Sequence, residues 1–274
     1  MTADVSDRAR PPSLSASLLG AAHLGPGVAV TVLAGLLALA QDLSATRLVL
    51  VVSAVLAGQL SVGWSNDLVD LGRDRRAGRA DKPLAAGAVP VRLVTACCAV
   101  AVAACVGLSL ACGVVAGLVH LLCVAAAWAY NLGLKSTVWS WLPYAVAFGG
   151  LTVFVALAGD GRAPWWWPVG AALLGVGAHL LNVLPDLADD AATGVHGLPH
   201  RLGRRWIAPV ATAVLLAGTA VVLLGGAPPT VVAVAAAVVA LALAAVVVSG
   251  SGRRPFVAAV GIALIDAMIL VAAR

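Results

Sequence analysis

The chain has 274 residues, of which 62% are hydrophobic and only 11% charged, with a mean hydropathy of +1.03 and a formal charge of +5. A water-soluble domain carries about one quarter charged residues, so this composition excludes one and requires a surface that faces lipid. The basic residues lie in short segments between apolar runs, which argues against nucleic acid as a partner.

Residues 1–16 are polar, contain Pro11 and Pro12, and read as a cytoplasmic lead-in. Residues 17–274 read as a single transmembrane domain, because no later linker is long enough to divide them. A bilayer core about 30 Å thick takes roughly 20 apolar residues per helix. Nine such stretches follow in order, near 21–41, 46–66, 92–111, 113–131, 138–158, 165–185, 206–225, 229–249 and 255–273. Short joins between several of them leave eight as an alternative. The first stretch starts too late, and passes too smoothly into the next, to read as a removed leader.

Charge then orients the bundle. With the N-terminus in the cytoplasm, 14 of the 17 Lys and Arg residues fall on that side, and only Arg47, Arg162 and Arg274 fall outside. Such asymmetry is what the positive-inside rule demands. The expected fold is an all-α polytopic bundle in the cell membrane, with its N-terminus and polar loops cytoplasmic. Five cysteines, Cys97, Cys98, Cys105, Cys112 and Cys123, show no CxxC pair and read as small packing residues.

Two polar loops, at about 67–91 and 185–205, interrupt the apolar background. Offset by 116 residues, Asn66, Leu68, Asp70, Leu71, Asp74, Gly78, Pro83 and Gly87 align with Asn182, Leu184, Asp186, Leu187, Asp190, Gly194, Pro199 and Gly203. Eight identities in 22 ungapped positions point to two related four-helix units, each carrying half of a site, plus one closing helix. The twelve acidic residues are all Asp, and half of them, Asp67, Asp70, Asp74, Asp186, Asp189 and Asp190, lie in the two acidic motifs of these segments.

Helical spacing turns the repeat into a site. Residues four apart share a face, so Asn66, Asp70 and Asp74 form one stripe that Gln59 and Gly63 extend into the membrane. Asp67 joins Asp70 from three residues away. His179, Asn182, Asp186 and Asp190 are expected to form a matching stripe on the sixth helix, with Asp189 pointing elsewhere. Stacked carboxylates repel one another unless cations lie between them. An all-oxygen donor set without Cys suits a hard ion, and Mg²⁺ characteristically takes one or two carboxylates together with substrate phosphates. Arg73, Arg79, Lys82 and Lys135 are interleaved to neutralise the same phosphate oxygens. Trp64, Trp128, Tyr130, Trp139, Trp141 and Tyr144 are candidates to line a cavity and face a carbocation, with an interfacial aromatic belt as the alternative. Trp165, Trp166 and Trp167 read as belt residues at the other face. His179 is a cavity candidate, whereas His23 and His120 read as satisfied or interfacial. Asp266, deep in the last stretch, has no obvious partner.

Asn66-Asp67-Leu68-Val69-Asp70-Leu71-Gly72-Arg73-Asp74 resembles the NDxxDxxxD motif of the UbiA superfamily of intramembrane prenyltransferases, and Asp186-Leu187-Ala188-Asp189-Asp190 resembles its second DxxxD motif. Lys82-Pro83-Leu84-Ala85-Ala86-Gly87 is similar to the family's R-P-L-x-x-G stretch, with Lys in place of Arg. Tyr130-Asn131-Leu132-Gly133-Leu134-Lys135 resembles its Tyr…Lys element. The resemblance implies Mg²⁺ held on an isoprenyl diphosphate by Asp67, Asp70, Asp74, Asp186 and Asp190, with Asn66 and Asn182 orienting them. It further implies phosphate contacts from Lys82, Lys135, Arg73 and Arg79, ionisation of the allylic C–O bond, and capture of the carbocation by a lipophilic or aromatic acceptor. A terpene cyclase on the same scaffold needs the same aspartates and remains open. A transporter or non-catalytic scaffold fits less well, because the acids cluster at one membrane face.

Overall fold

The segment Ala45–Arg76 contains no proline and forms one helix of 32 residues. At 1.5 Å per residue it is about 48 Å long, well beyond the ~30 Å of a bilayer core, so its last turns project past the apolar layer. Those turns carry the first acidic motif. The computed structural model describes residues 13–272. The elements are α1 (Leu14–Gly20), α2 (Leu24–Ala40), α3 (Ala45–Arg76), α4 (Val91–Ala111), α5 (Val114–Leu132), a 3₁₀ turn (Leu134–Ser136), α6 (Leu142–Ala158), α7 (Trp166–Val183), α8 (Leu187–Ala192), α9 (Leu198–Leu202), α10 (Arg204–Gly226), α11 (Thr230–Ser249) and α12 (Arg254–Ala272). No strand occurs among the described residues.

Among the described residues, each of the nine predicted stretches contains one of the longer helices. Among the described residues, α3, α4, α5, α7, α10 and α11 are each long and apolar enough to cross a membrane. The pair α1 and α2, bent by 67°, gives a seventh if the two cross as one broken span, and α6 is shorter at 17 residues. Length and apolarity alone therefore do not reach nine spans. Two local expectations change. The first stretch is not a single helix, because it breaks at Ala21–His23. Helix α1 also begins at Leu14, inside the segment read as lead-in, whose residues 1–12 lie outside the described ones.

Consecutive helices pack on one another, and α12 closes the arrangement by touching α2 as well as α7, α10 and α11. Leu37, Val51, Val55 and Phe154 fill one apolar core, and Leu180, Ile207, Leu215 and Ile262 fill a second. A third core seats Leu84 and Val89 of the first motif loop against Ala21, Ala22 and Trp64. Asp266 on α12 has a partner that the sequence did not reveal: Thr219 Oγ1 on α10 donates to its Oδ2 at 2.9 Å.

The repeat is visible in the backbone. Gly78 and Gly194 both take positive φ, +64° and +84°, and Gly87 and Gly203 do so at +76° and +77°. The turns close alike: Arg79 N–H donates to the Asp74 carbonyl at 3.0 Å, and Val195 N–H to the Asp190 carbonyl at 2.8 Å. The repeat departs from symmetry where Pro185 stands opposite Val69. Proline lacks an N–H and clashes with the carbonyl four residues back. Accordingly α7 stops at Val183 and a separate helix, α8, restarts at Leu187, whereas α3 runs unbroken through its motif. The expected single stripe from His179 to Asp190 is corrected on this point.

Added methyl groups at Gly78 and Gly194 would touch nothing, so any penalty there is purely conformational. Gly78→Ala and Gly194→Ala are each expected to cost about 1–2 kcal/mol and to lower the melting temperature in detergent by a few degrees. Unchanged melting in both would show that the left-handed turns are not required.

Candidate active site

The last three turns of α3 bring Asp67, Asp70 and Asp74 to the motif end of the bundle, and all three are buried. Buried carboxylates need cations or hydrogen bonds, and each finds them differently. Lys82 Nζ donates to Asp67 Oδ1 at 2.7 Å and lies 3.4 Å from Asn66 Oδ1. Lys135, on the 3₁₀ turn after α5, places Nζ 2.6 Å from both oxygens of Asp70. Arg73 Nη2 donates to Asp70 Oδ2 at 2.8 Å, and its Nε lies 3.6 Å from Asp74 Oδ1. Burial pushes the Lys135 ammonium below the ordinary lysine value, against the opposing pull of Asp70.

Asn66 is held in its turn. Its Nδ2 donates to Asn131 Oδ1 at 3.2 Å, while Asn131 Nδ2 donates to Val62 O and Ser65 Oγ at 2.9 and 2.8 Å. Asn131 thereby sets the direction of the Asn66 amide. The resemblance quoted Asn131 as part of a stretch without giving it a role.

The second motif meets the first across a cleft of about 520 Å³, lined by Arg73, Asp74, Arg76, Ala77, Arg79, Asp189, Asp190, Ala192 and Thr193. Asp190 is half-buried, and burial raises its carboxyl above the ordinary range while Arg73 holds it back. Asp186 is exposed, and together with Asp74 it acts electrostatically on Arg79. Asp189, expected to point elsewhere, lines the cleft. Its side chain is brought there by the restart of the chain as α8 after Pro185. Arg79 makes a bidentate pair with Asp81 at 2.8 Å for each bond, and this holds the Asp81 carboxyl at about 2.

A glycine makes this meeting possible. A side chain at Gly197 would overlap the Lys135 carbonyl and crowd Ser140, so the second loop can press on the turn that carries Lys135. Ser140 Oγ accepts from Leu198 N–H at 3.0 Å and lies 3.0 Å from His179 Nε2. The cavity candidates divide. Tyr130 stands edge-on to Tyr144 and His179 at 5.3 and 5.6 Å, and Asn182 Nδ2 reaches Tyr144 OH at 3.5 Å. His179 is fully buried in this group. Gln59 sits at the contact of α3 with Gly27 of α2. Trp64 belongs to the third apolar core, with its indole N–H donated to Leu18 O at 3.0 Å, and does not line the acidic cleft.

His23 is the residue that sequence reasoning missed. Its Nε2 lies 2.8 Å from Asp67 Oδ1 and 3.0 Å from Lys82 Nζ. Nothing in the local pattern marks it, because the contact spans 44 residues. Among the described residues, no three His, Cys, Asp or Glu side chains form a ready-made metal cage. Two features nonetheless suit a hard divalent ion: the donors are all carboxylate oxygens, and Asp67 Oδ2 is buried with no hydrogen-bond partner.

Fold and site together define a polytopic helical membrane protein whose duplicated acidic motifs share one cleft with arginines. The model of the UbiA prenyltransferase family matches residues 28–264, and the chain belongs to that family. Solved structures with the same fold include the apo form of a UbiA homologue from Aeropyrum pernix K1, with a TM-score of 0.74, 20% identity, and coverage of 95% of this chain and 98% of that one. A UbiA homologue from Archaeoglobus fulgidus bound to GPP and Mg²⁺ aligns with a TM-score of 0.71 at 15% identity, covering 94% and 98%. A digeranylgeranylglyceryl phosphate synthase aligns at 0.65 and 15% identity, covering 94% and 95%. No curated protein matches the sequence.

Lys135 and Asp70 are almost fully enclosed, with side chains 10% and 7% exposed. Removing one partner from such a pair costs about 3–5 kcal/mol. Lys135→Met is expected to lower stability toward denaturant by about that much, and adding Asp70→Asn should recover part of it. Additive losses would mean that the two side chains are not coupled.

Proposed function

We propose that the chain transfers an isoprenyl group from an allylic isoprenyl diphosphate to a lipophilic or aromatic acceptor within the membrane, with Mg²⁺ as cofactor. The observation that carries this reading is the shared cleft, where duplicated aspartate motifs form facing walls with arginines between them in a member of a prenyltransferase family. The Archaeoglobus fulgidus homologue bound to GPP and Mg²⁺, and its form bound to DMAPP and Mg²⁺, support the same substrate class.

In this reading Asp67, Asp70, Asp74, Asp186 and Asp190 hold Mg²⁺, with Asn66 and Asn182 orienting them. Bound there, the ion supplies electrophilic stabilisation of charge on the departing diphosphate. Arg73, Arg79, Lys82 and Lys135 neutralise phosphate oxygens, which favours departure of pyrophosphate with the bonding electron pair. The faces of Tyr130 and Tyr144, with His179 packed behind them, stabilise the allylic cation, and the apolar bundle excludes water that would otherwise capture it. The acceptor supplies the electron pair for the new bond and then releases a proton. The positive-inside bias supports a cytoplasmic position for the cleft.

Purified protein incubated with Mg²⁺ and geranyl, farnesyl or geranylgeranyl diphosphate tests the reading. Pyrophosphate release is expected to depend on both Mg²⁺ and an acceptor, and to fall at least about 100-fold in Asp70→Asn and Asp190→Asn, the scale on which lost transition-state electrostatics act. A cyclic hydrocarbon or alcohol formed without acceptor would identify a cyclase instead. Turnover unaffected by either substitution would remove both aspartates from the chemistry.

A further inference from the structure

His23 lies outside the segment matched by the family model, yet the fold delivers it to the first acidic cluster. It ends the elbow between α1 and α2 and takes a left-handed backbone conformation, φ +51° and ψ +49°. Histidine is among the few non-glycine residues that enter this region readily. The elbow is seated by three independent contacts. Ala21 and Ala22 are buried in the third apolar core. Gly63 of α3 lacks the side chain that would overlap the Ala22 carbonyl. The Trp64 indole binds Leu18 O at 3.0 Å. Together these fix the imidazole beside Asp67, and they explain why α3 carries Gly63 and Trp64 one turn before its motif.

The hydrogen bonding at Asp67 is one-sided. Oδ1 receives Lys82 Nζ at 2.7 Å and His23 Nε2 at 2.8 Å, whereas Oδ2 is buried with no partner among the described residues. An Nε2–H directed at the carboxylate avoids two lone pairs facing each other at 2.8 Å. It makes Lys82 Nζ, 3.0 Å away, a second donor to the same oxygen rather than a partner of the imidazole. The lysine hydrogens then serve Asp67 Oδ1 and Asn66 Oδ1. A carboxylate clamped at one oxygen points the other in a fixed direction, as a partner group behind a metal ligand does.

We infer that His23 is a positioning residue: it holds Asp67 by one oxygen so that the other is presented to the divalent ion. This rests on the proposed reading of Asp67 as a Mg²⁺ ligand. Two variants separate the hydrogen bond from the backbone. His23→Asn keeps a residue that tolerates the left-handed conformation but is too short to reach Asp67. His23→Gln carries an amide nitrogen near the place of Nε2.

The test uses the full chain in detergent, with size-exclusion profile and melting temperature confirming the fold of each variant. Mn²⁺ binding is followed by electron paramagnetic resonance in the presence of the non-cleavable geranyl S-thiolodiphosphate, and the Mg²⁺ dependence of pyrophosphate release is measured beside it. His23→Asn is expected to weaken Mn²⁺ binding and raise half-saturating Mg²⁺ about 10-fold or more, with turnover at saturating metal near wild type. His23→Gln should return most of this. Metal curves for His23→Asn that coincide with wild type would overturn the inference, as would a loss that His23→Gln fails to restore in folded protein. If the wild type itself binds no Mn²⁺ and releases no pyrophosphate, the underlying functional reading fails instead, which is a separate result.

Discussion

Three carboxylates buried on one stripe of α3 are the constraint to which the rest of the motif end answers. Asp67, Asp70 and Asp74 repel one another, and none can sit out of water without compensation. The compensating groups come from four places: Arg73 on the same helix, Lys82 in the following loop, Lys135 some 65 residues along the chain, and His23 in the elbow before α2. Each ties its segment to the same row of acids, beside the apolar contacts that seat the loop and the elbow. The 3₁₀ turn, the first motif loop and the α1–α2 elbow are thus arranged around one row of negative charge. The apolar cores only need to bring them within reach, as Leu84 and Val89 do for the loop.

The two halves of the repeat share backbone and differ in electrostatics. Matching glycines with positive φ close both loops in the same way. The first half buries its acids against cations, whereas the second leaves Asp186 and Asp189 exposed and relies on arginines of the first half. One residue accounts for much of this. Val69 lets α3 continue and keeps its acids on a packed face, while Pro185 ends α7 and turns the following acids toward the cleft. A symmetric pair of long helices would put both acid rows on packed faces, and the cleft between them would lose one wall.

The sequence was most readable where a pattern is local or duplicated. Each of the nine apolar stretches located a long helix among the described residues, and the 116-residue offset located both acidic segments, because length, hydropathy and identity act within a window. The helix-face argument held on α3, where nothing interrupts the 3.6-residue period. It failed after Val183 because a single proline outweighs periodicity. The elbow at Ala21–His23 was invisible for a different reason: its residues are small and apolar enough to continue a helix. The close approach to Gly63 that bends the chain there is a tertiary contact. His23 and the Thr219 partner of Asp266 belong to the same class, as pairs that only the folded chain brings together.

The position of the acids along the helices follows from the solvent. A charge at the middle of a bilayer is costly, and the one acid placed deep in the last helix is answered by a hydroxyl on a neighbouring helix. The six acids of the two motifs stand at one end of the bundle, Asp67, Asp70 and Asp74 buried among cations and Asp186 and Asp189 exposed. Below that end polarity falls away stepwise. Tyr144 stacks toward Phe148 at 6.4 Å, and Phe148 borders a small cavity of about 30 Å³ whose wall is mainly apolar, with Leu33, Leu37 and Leu174, and carries Asp266 and Thr152 as its polar members. In the proposed reading, a substrate with a polyanionic head and an apolar tail would meet fixed charge at the rim, aromatic faces beneath it and mostly aliphatic side chains further in. On the same reading a site at helix ends is favoured, since a diphosphate drawn further in would lose its hydration without gaining another cation.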